Sequence, residues 1–284
     1  PPRFHPPDAH PLIHSATVYM FIDSHCHIDF PDLAVREEEL LSNMKAQRVS
    51  HALCVSVNIE QWPRVTAMAE RHANVFASLG VHPDYEDVTE PDVAQLVKLS
   101  AHPRVVAIGE TGLDYFRLTG DLDWQRSRFR THIRAARECG KPLIVHTRSA
   151  AADLVRPLLA HDGQRIGGVM HCFTESLEVA EAAIDMGFCI SFSGIVTFKN
   201  AQALREVAKA IPMASVLIET DSPYLAPVPY RGKMNEPSFV PHVAAELARV
   251  RGMSVEDVAR ATSDNFFRLF SDAARLTGRC EVAA

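Results

Sequence analysis

The chain has 284 residues, 47% hydrophobic and 23% charged, which is ordinary globular composition and enough to bury the core of one large α/β domain. Its formal net charge of −6 leaves no global basic excess, so any contact with nucleic acid has to rest on a local cationic patch. No apolar run reaches the ~18 residues needed to cross a bilayer, and no membrane partner is expected.

Residues 1–17 stand apart. Pro1-Pro2-Arg3-Phe4-His5-Pro6-Pro7 is proline-rich and lacks the basic and apolar regions of a signal peptide. This segment is expected to be a disordered or non-native extension, with Met20 a candidate natural start and His5, His10 and His14 solvated. Eight short apolar runs follow, at 18–23, 52–57, 75–81, 105–109, 142–146, 168–171, 188–193 and 216–219. Their near-continuous apolarity predicts parallel strands buried on both faces. Helical patterns fall between or after them, at 36–47, 124–139, 151–160, 177–186, 201–210, 241–250, 255–261 and 264–269. The second of these stops at Gly140 with Pro142 just beyond, a normal helix end. Strand starts recur at roughly the length of one βα unit.

The first strand runs into Asp23-Ser24-His25-Cys26-His27, where a doubly wound open sheet usually carries a glycine-rich turn. The prediction is therefore a single-domain (β/α)₈ TIM-type barrel over 18–275, with a tail at 276–284. Cys26, Cys54, Cys139, Cys172, Cys189 and Cys280 include no C-x-x-C pair, and several sit in apolar runs. That usage suits a reducing, cytoplasmic compartment. No coiled-coil heptad is visible, so a monomer is expected.

Chemistry-bearing residues cluster at the strand ends: His25 and His27, His82, Glu110, His146, His171 and Asp221. In a barrel these ends meet at one mouth. His25 and His27, two apart on extended chain, point the same way. Four histidines and two carboxylates exceed the three protein ligands of one catalytic zinc, whereas two ions sharing Glu110 would use all six. Asp221 can both ligate and accept a proton from water. Arg148, Lys199, Arg231, Lys233 and Asn235 are candidate phosphate contacts on the loops at that face. Tyr115 and Phe116 are candidates for stacking unpaired bases, and Glu219 for orienting a ligand. Mixed nitrogen and oxygen donors suit zinc, manganese or iron, while magnesium prefers oxygen.

Asp23-Ser24-His25-Cys26-His27-Ile28-Asp29, Gly80-Val81-His82-Pro83, Gly109-Glu110-Thr111-Gly112-Leu113-Asp114, Val145-His146-Thr147-Arg148, His171-Cys172-Phe173-Thr174 and Glu219-Thr220-Asp221-Ser222-Pro223-Tyr224 together resemble the motif set of TatD-type metal-dependent deoxyribonucleases. Arg231-Gly232-Lys233-Met234-Asn235-Glu236-Pro237 joins them, and the resemblance spans about 20–269 in the right order. Glu110 stands where many of the wider amidohydrolase-like barrels have a carboxylated lysine. The resemblance implies a (β/α)₈ barrel that hydrolyses phosphodiester bonds in DNA, as a 3′–5′ exonuclease on single strands, with two divalent ions (Mg, Mn or Zn). It implies one ion on His25, His27 and Asp221, another on His146 and His171, Glu110 bridging, and His82 on the scissile phosphate. The alternative is a small-molecule amidohydrolase or phosphoesterase using the same metal site. A binding protein on an inactive barrel fits the complete ligand set less well.

Overall fold

The computed structural model describes residues 19–279 except 152, 155–157 and 159–165. The proline-rich extension, most of the helix expected at 151–160 and the end of the C-terminal tail lie outside the described residues. Eight strands pair in parallel and in chain order: β1 Phe21–Cys26, β2 Val49–Val55, β3 Val75–Leu79, β4 Val105–Asp114, β5 Leu143–Arg148, β6 Gly168–Met170, β7 Phe188–Phe192 and β8 Val216–Ile218. Among the described residues the helices are α1 Pro31–Ala34, α2 Glu37–Ala46, α3 Trp62–Arg71, α4 Val93–Ser100, α5 Asp123–Cys139, α6 Leu177–Asp185, α7 Gln202–Ala210, α8 Val240–Arg251, α9 Val255–Leu269 and α10 Ser271–Leu276. None is long and apolar enough to cross a membrane.

The sheet curls into a nearly closed barrel. Its seam is joined at the mouth, where Cys26 bridges Ser222, His27 N donates to Ser222 O (2.8 Å) and Asp221 N donates to His25 O (2.9 Å). The inward faces of the strands supply Ile22, Leu53, Phe76, Ile144, Val169 and Leu217, which pack on Phe266, Phe267 and Phe270. Helix α9 thus contributes to the barrel floor. Strand periodicity places His146 above Ile144, His171 above Val169 and Glu219 above Leu217.

Two bulges complete the set. Register runs Asp23↔Ala52 and then Cys26↔Cys54, so β1 advances three residues while β2 advances two. Ser24 still faces the barrel interior, bonded to Ser191 Oγ and Ile218 O. The extra residue turns His25 and His27 to that side and Cys26 outward into the helix-facing core. In β4, Ile108↔Leu143 is followed by Thr111↔Val145, the same three-for-two step, with Glu110 inside it.

These bulges correct the expected boundaries. The first strand begins at Phe21 and runs on to Cys26, and the fourth runs past Gly109 to Asp114, so His25 and Glu110 lie within strands. The segments expected at 255–261 and 264–269 are one helix, α9, and helices α3 and α4 were not anticipated.

Gly112 lies within β4, paired with His146 of β5, at φ 138°, and a Cβ there would collide with the His146 carbonyl oxygen. Gly112→Ala should therefore cost about 3 kcal/mol by strain and overpacking. It should also lower metal content by displacing His146. Thermal denaturation with metal analysis checks this, and an unshifted Tm with full metal content would contradict it.

Candidate metal centre

Four ligand atoms gather at the seam. His25 Nε2 lies 3.3 Å from His27 Nε2, 3.3 Å from Glu110 Oε2 and 3.7 Å from Asp221 Oδ1. His27 Nε2 lies 3.9 Å from Glu110 Oε2 and 3.4 Å from Asp221 Oδ1. These spacings bracket the edge of about 3.4 Å that a tetrahedron has when its metal–ligand bonds are about 2.1 Å.

The other oxygen of Glu110 faces a second group. Oε1 lies 2.6 Å from His171 Nε2, 3.2 Å from His146 Nδ1 and 3.2 Å from His82 Nε2, while His146 Nδ1 and His171 Nε2 are 3.4 Å apart. Proximity alone also groups His82 with Glu110 and His146, and His171 with His25 and Asp221.

Proton placement separates ligand from donor. With neutral rings, His27 Nδ1–H donates to Val55 O (2.8 Å), His146 Nε2–H to Asp114 Oδ2 (2.9 Å) and His171 Nδ1–H to Glu219 Oε1 (3.3 Å). Each ring therefore turns a lone pair inward, the arrangement metal-ligating histidines use. His82 is reversed: its Nδ1 accepts from Asp84 N (3.1 Å), so its Nε2 carries the hydrogen and donates to Glu110. His25 is held by stacking on His171, ring centroids 3.9 Å apart, and its buried Nδ1 has no partner. The donor set fits divalent metal, with His25, His27 and Asp221 on one side of Glu110 and His146 and His171 on the other.

Without an ion these groups neutralise one another. Burial opposes a charged His27, yet Asp221 and then Glu110 hold it at about 9. Burial likewise opposes charge on His171, and Glu110 with Glu219 raises it well above the usual imidazole range. Burial pushes the Glu110 carboxyl up, but His171, His82 and His25 together hold it well below its ordinary value. His25 goes the other way, lowered by burial and by the charge of His171. At neutral pH an entering metal must displace protons from His27 and His171. Metal uptake at pH 7 should release protons, and apparent affinity should fall about tenfold per pH unit for each proton displaced as pH drops below about 9. Calorimetry in buffers of different ionisation enthalpy measures the release; none at pH 7 would refute this account.

A family profile described as TatD related DNase matches residues 22–271. The chain belongs to the TatD family. It is 45% identical over 260 residues to the uncharacterised metal-dependent hydrolase YcfH of Escherichia coli K12, covering 90% of this chain and 97% of that protein. It is 42% identical over 252 residues to the uncharacterised metal-dependent hydrolase YabD of Bacillus subtilis, covering 88% and 99%. The crystal structure of YjjV, a TatD homologue from Escherichia coli K12, superposes with a TM-score of 0.81 at 33% identity, covering 88% of this chain and 98% of that one. The protein is thus a metal-dependent hydrolase of the TatD family.

In this TatD-family barrel the metal centre lies in a cleft of about 780 Å³ whose wall includes Arg117 and Arg148. His82 lines it too, whereas the expected phosphate contacts on the loops after β7 and β8 do not. Lys199 and Lys233 are exposed and do not line the cleft. Arg231 lies over the Phe198 ring, 3.6 Å from its centroid. Asn235 is a correction: it is fully buried, its Nδ2 donates to Thr220 O (2.8 Å) and Tyr224 O (2.6 Å), and its Oδ1 accepts from Glu236 N. The loop after β8 needs those bonds to satisfy its own buried backbone. Tyr115 donates its hydroxyl to Asp153 (2.8 Å), accepts there from Arg126 Nε (3.0 Å) and does not line the cleft.

Asp114, Gln125 and Arg128 were missed. Asp114 holds His146, and Gln125 holds Asp114 through both backbone groups and reaches Pro83 O (3.2 Å). Arg128, fully buried on Trp124 and paired with Glu90, donates to His82 O (2.8 Å). The signal was a polar stripe, Gln125, Arg128 and His132, at helical spacing on α5 beside the apolar Phe129 and Ile133. Asp114→Asn should weaken metal binding about 10- to 100-fold. Metal titration of the chelator-treated protein checks it, and wild-type affinity would remove Asp114 from this role.

Proposed function

We propose that this TatD-family centre hydrolyses phosphodiester bonds of DNA, releasing nucleotides from the 3′ end of a single strand with the help of two divalent ions. The observation that carries the reading is the division of Glu110: Oε2 faces His25 and His27, and Oε1 faces His146 and His171. A carboxylate so placed suits a pair of ions, and a pair of ions suits in-line displacement at phosphorus.

When bound, the ions supply a more acidic water and Lewis-acid pull on a phosphoryl oxygen. The residues supply the rest. Asp221, the most open of the group at the seam at 15% exposed, takes the proton of the attacking water. His82 Nε2–H, which rests on Glu110, is the donor for a non-bridging phosphate oxygen. Arg148 holds phosphate from the cleft wall. The cleft is in the size range of small-ligand sites, which suits a strand end better than the flank of a duplex.

The test is release of mononucleotides from end-labelled single-stranded DNA with magnesium, manganese, zinc or EDTA, wild type against Asp221→Ala. Metal-dependent release from the 3′ end that disappears in the variant is expected. No release by protein shown to contain ions would refute the nuclease reading and move the substrate to small amides or phosphoesters.

A further inference from the structure

Asp114 ends β4, and its Oδ1 accepts from Phe116 N (2.9 Å) and Arg117 N (3.0 Å), so the chain turns sharply and Phe116 is left 63% exposed. Arg148 ends the neighbouring strand in register with Asp114, and its carbonyl accepts from Tyr115 N (3.0 Å). The two residues are therefore fixed at the backbone, and the Arg148 guanidinium lies 3.9 Å from the Phe116 ring centroid. The guanidinium carbon thus lies over the ring, and among the described residues no hydrogen-bond acceptor takes its N–H groups.

Among the described residues the cleft wall has two arginines. Arg117 is tied to Asp84 at 2.8 Å, whereas no carboxylate oxygen among the described residues lies within 4 Å of Arg148. Arg148 also sits two strand positions past His146 on the same face, a step of about 6.6 Å. That step is comparable with the separation of neighbouring phosphates in an extended strand. One face of the Phe116 ring is covered by Arg148, and the ring is otherwise largely open to solvent.

We propose that Phe116 and Arg148 form a subsite for one unpaired nucleotide adjoining the scissile phosphate: its base stacks on the open face of Phe116 and its phosphate meets the N–H edge of Arg148. This rests on the phosphodiesterase reading above and adds to it a place for one base and its phosphate. A base inside a duplex is already stacked on both faces, so the subsite selects unpaired strands without reading their sequence.

The test compares kcat/KM on single-stranded oligothymidylate with kcat/KM on methyl p-nitrophenyl phosphate, a diester with no base and no second phosphate. Phe116→Ala should lower the ratio of the two about 5- to 100-fold, chiefly through the oligonucleotide KM, and Phe116→Tyr should restore it to within about twofold. Arg148→Ala should lower the same ratio and flatten the salt dependence of the oligonucleotide KM. An unchanged ratio in Phe116→Ala, with wild type degrading the oligonucleotide, overturns the subsite alone. Equal losses on both substrates also overturn it, because the residue then serves the centre as a whole. Wild type that cleaves the small diester but not the oligonucleotide overturns the nuclease reading and the subsite with it.

Discussion

Glu110→Gln should lower kcat by about 10³-fold, the scale of losing a preorganised electrostatic group, and should empty at least one half of the metal centre. The side chain keeps its length and stays buried, so the bulged β4 has no steric reason to change. Its ligand chemistry does change. One carboxamide oxygen can serve the His25–His27 side or the His146–His171 side, but not both, and the amide N–H groups then face ring lone pairs. The loss is also electrostatic. Glu110 is held well below its ordinary pKa by the imidazoles around it, with burial opposing, so in the metal-free protein it stabilises the fold above its unfolded value of 4.5. That contribution is lost as pH falls from there through the folded value, and the glutamine variant has none to lose. Elemental analysis and kcat on a metal-supported diester decide the matter. Two retained ions with activity within tenfold of wild type would rule out a bridging role.

How far the sequence carried this reading depends on periodicity. The runs at 142–146, 168–171 and 216–219 announced strands because buried parallel strands leave an unbroken apolar trace. The same two-residue period placed His146 and His171 at the mouth. The bulges left no such trace: nothing in Asp23-Ser24-His25 marks an extra residue, because a bulge is defined by the partner strand. The strand ends around His25 and Glu110 were therefore misplaced although the residues themselves were picked out. Helix α9 was split in two because Thr262 and Ser263 are weak helix formers. In the fold both are buried, Thr262 bonding Val258 O (2.9 Å) and Ser263 bonding Met20 O (3.0 Å), and tertiary packing overrides propensity. Asn235 misled for a related reason. A polar residue in a basic loop reads as a substrate contact, whereas its amide is spent on carbonyls of its own loop.

Asp221→Asn should lower kcat about 10³-fold while leaving the backbone in place and KM little changed, separating proton transfer from architecture. Asp221 sits at φ 57°, in the left-handed region, where asparagine is among the few side chains that fit readily. Its backbone N–H to His25 O, part of the barrel seam, is untouched. Asparagine keeps a neutral oxygen near His25 and His27 and loses the charge and the basic lone pair. A compensating effect follows. Burial opposes charge on His27, and Asp221 is the leading influence that lifts it to about 9. In the metal-free variant that ring should titrate at lower pH, so fewer protons compete with metal near neutrality and part of the lost ligand strength is recovered. NMR titration of the His27 ring and a proton count on metal uptake measure this directly. Near-normal metal content with kcat down about 10³-fold would assign Asp221 the base role. Loss of metal in step with loss of activity would make it a ligand only, and unchanged kcat would remove it from the reaction.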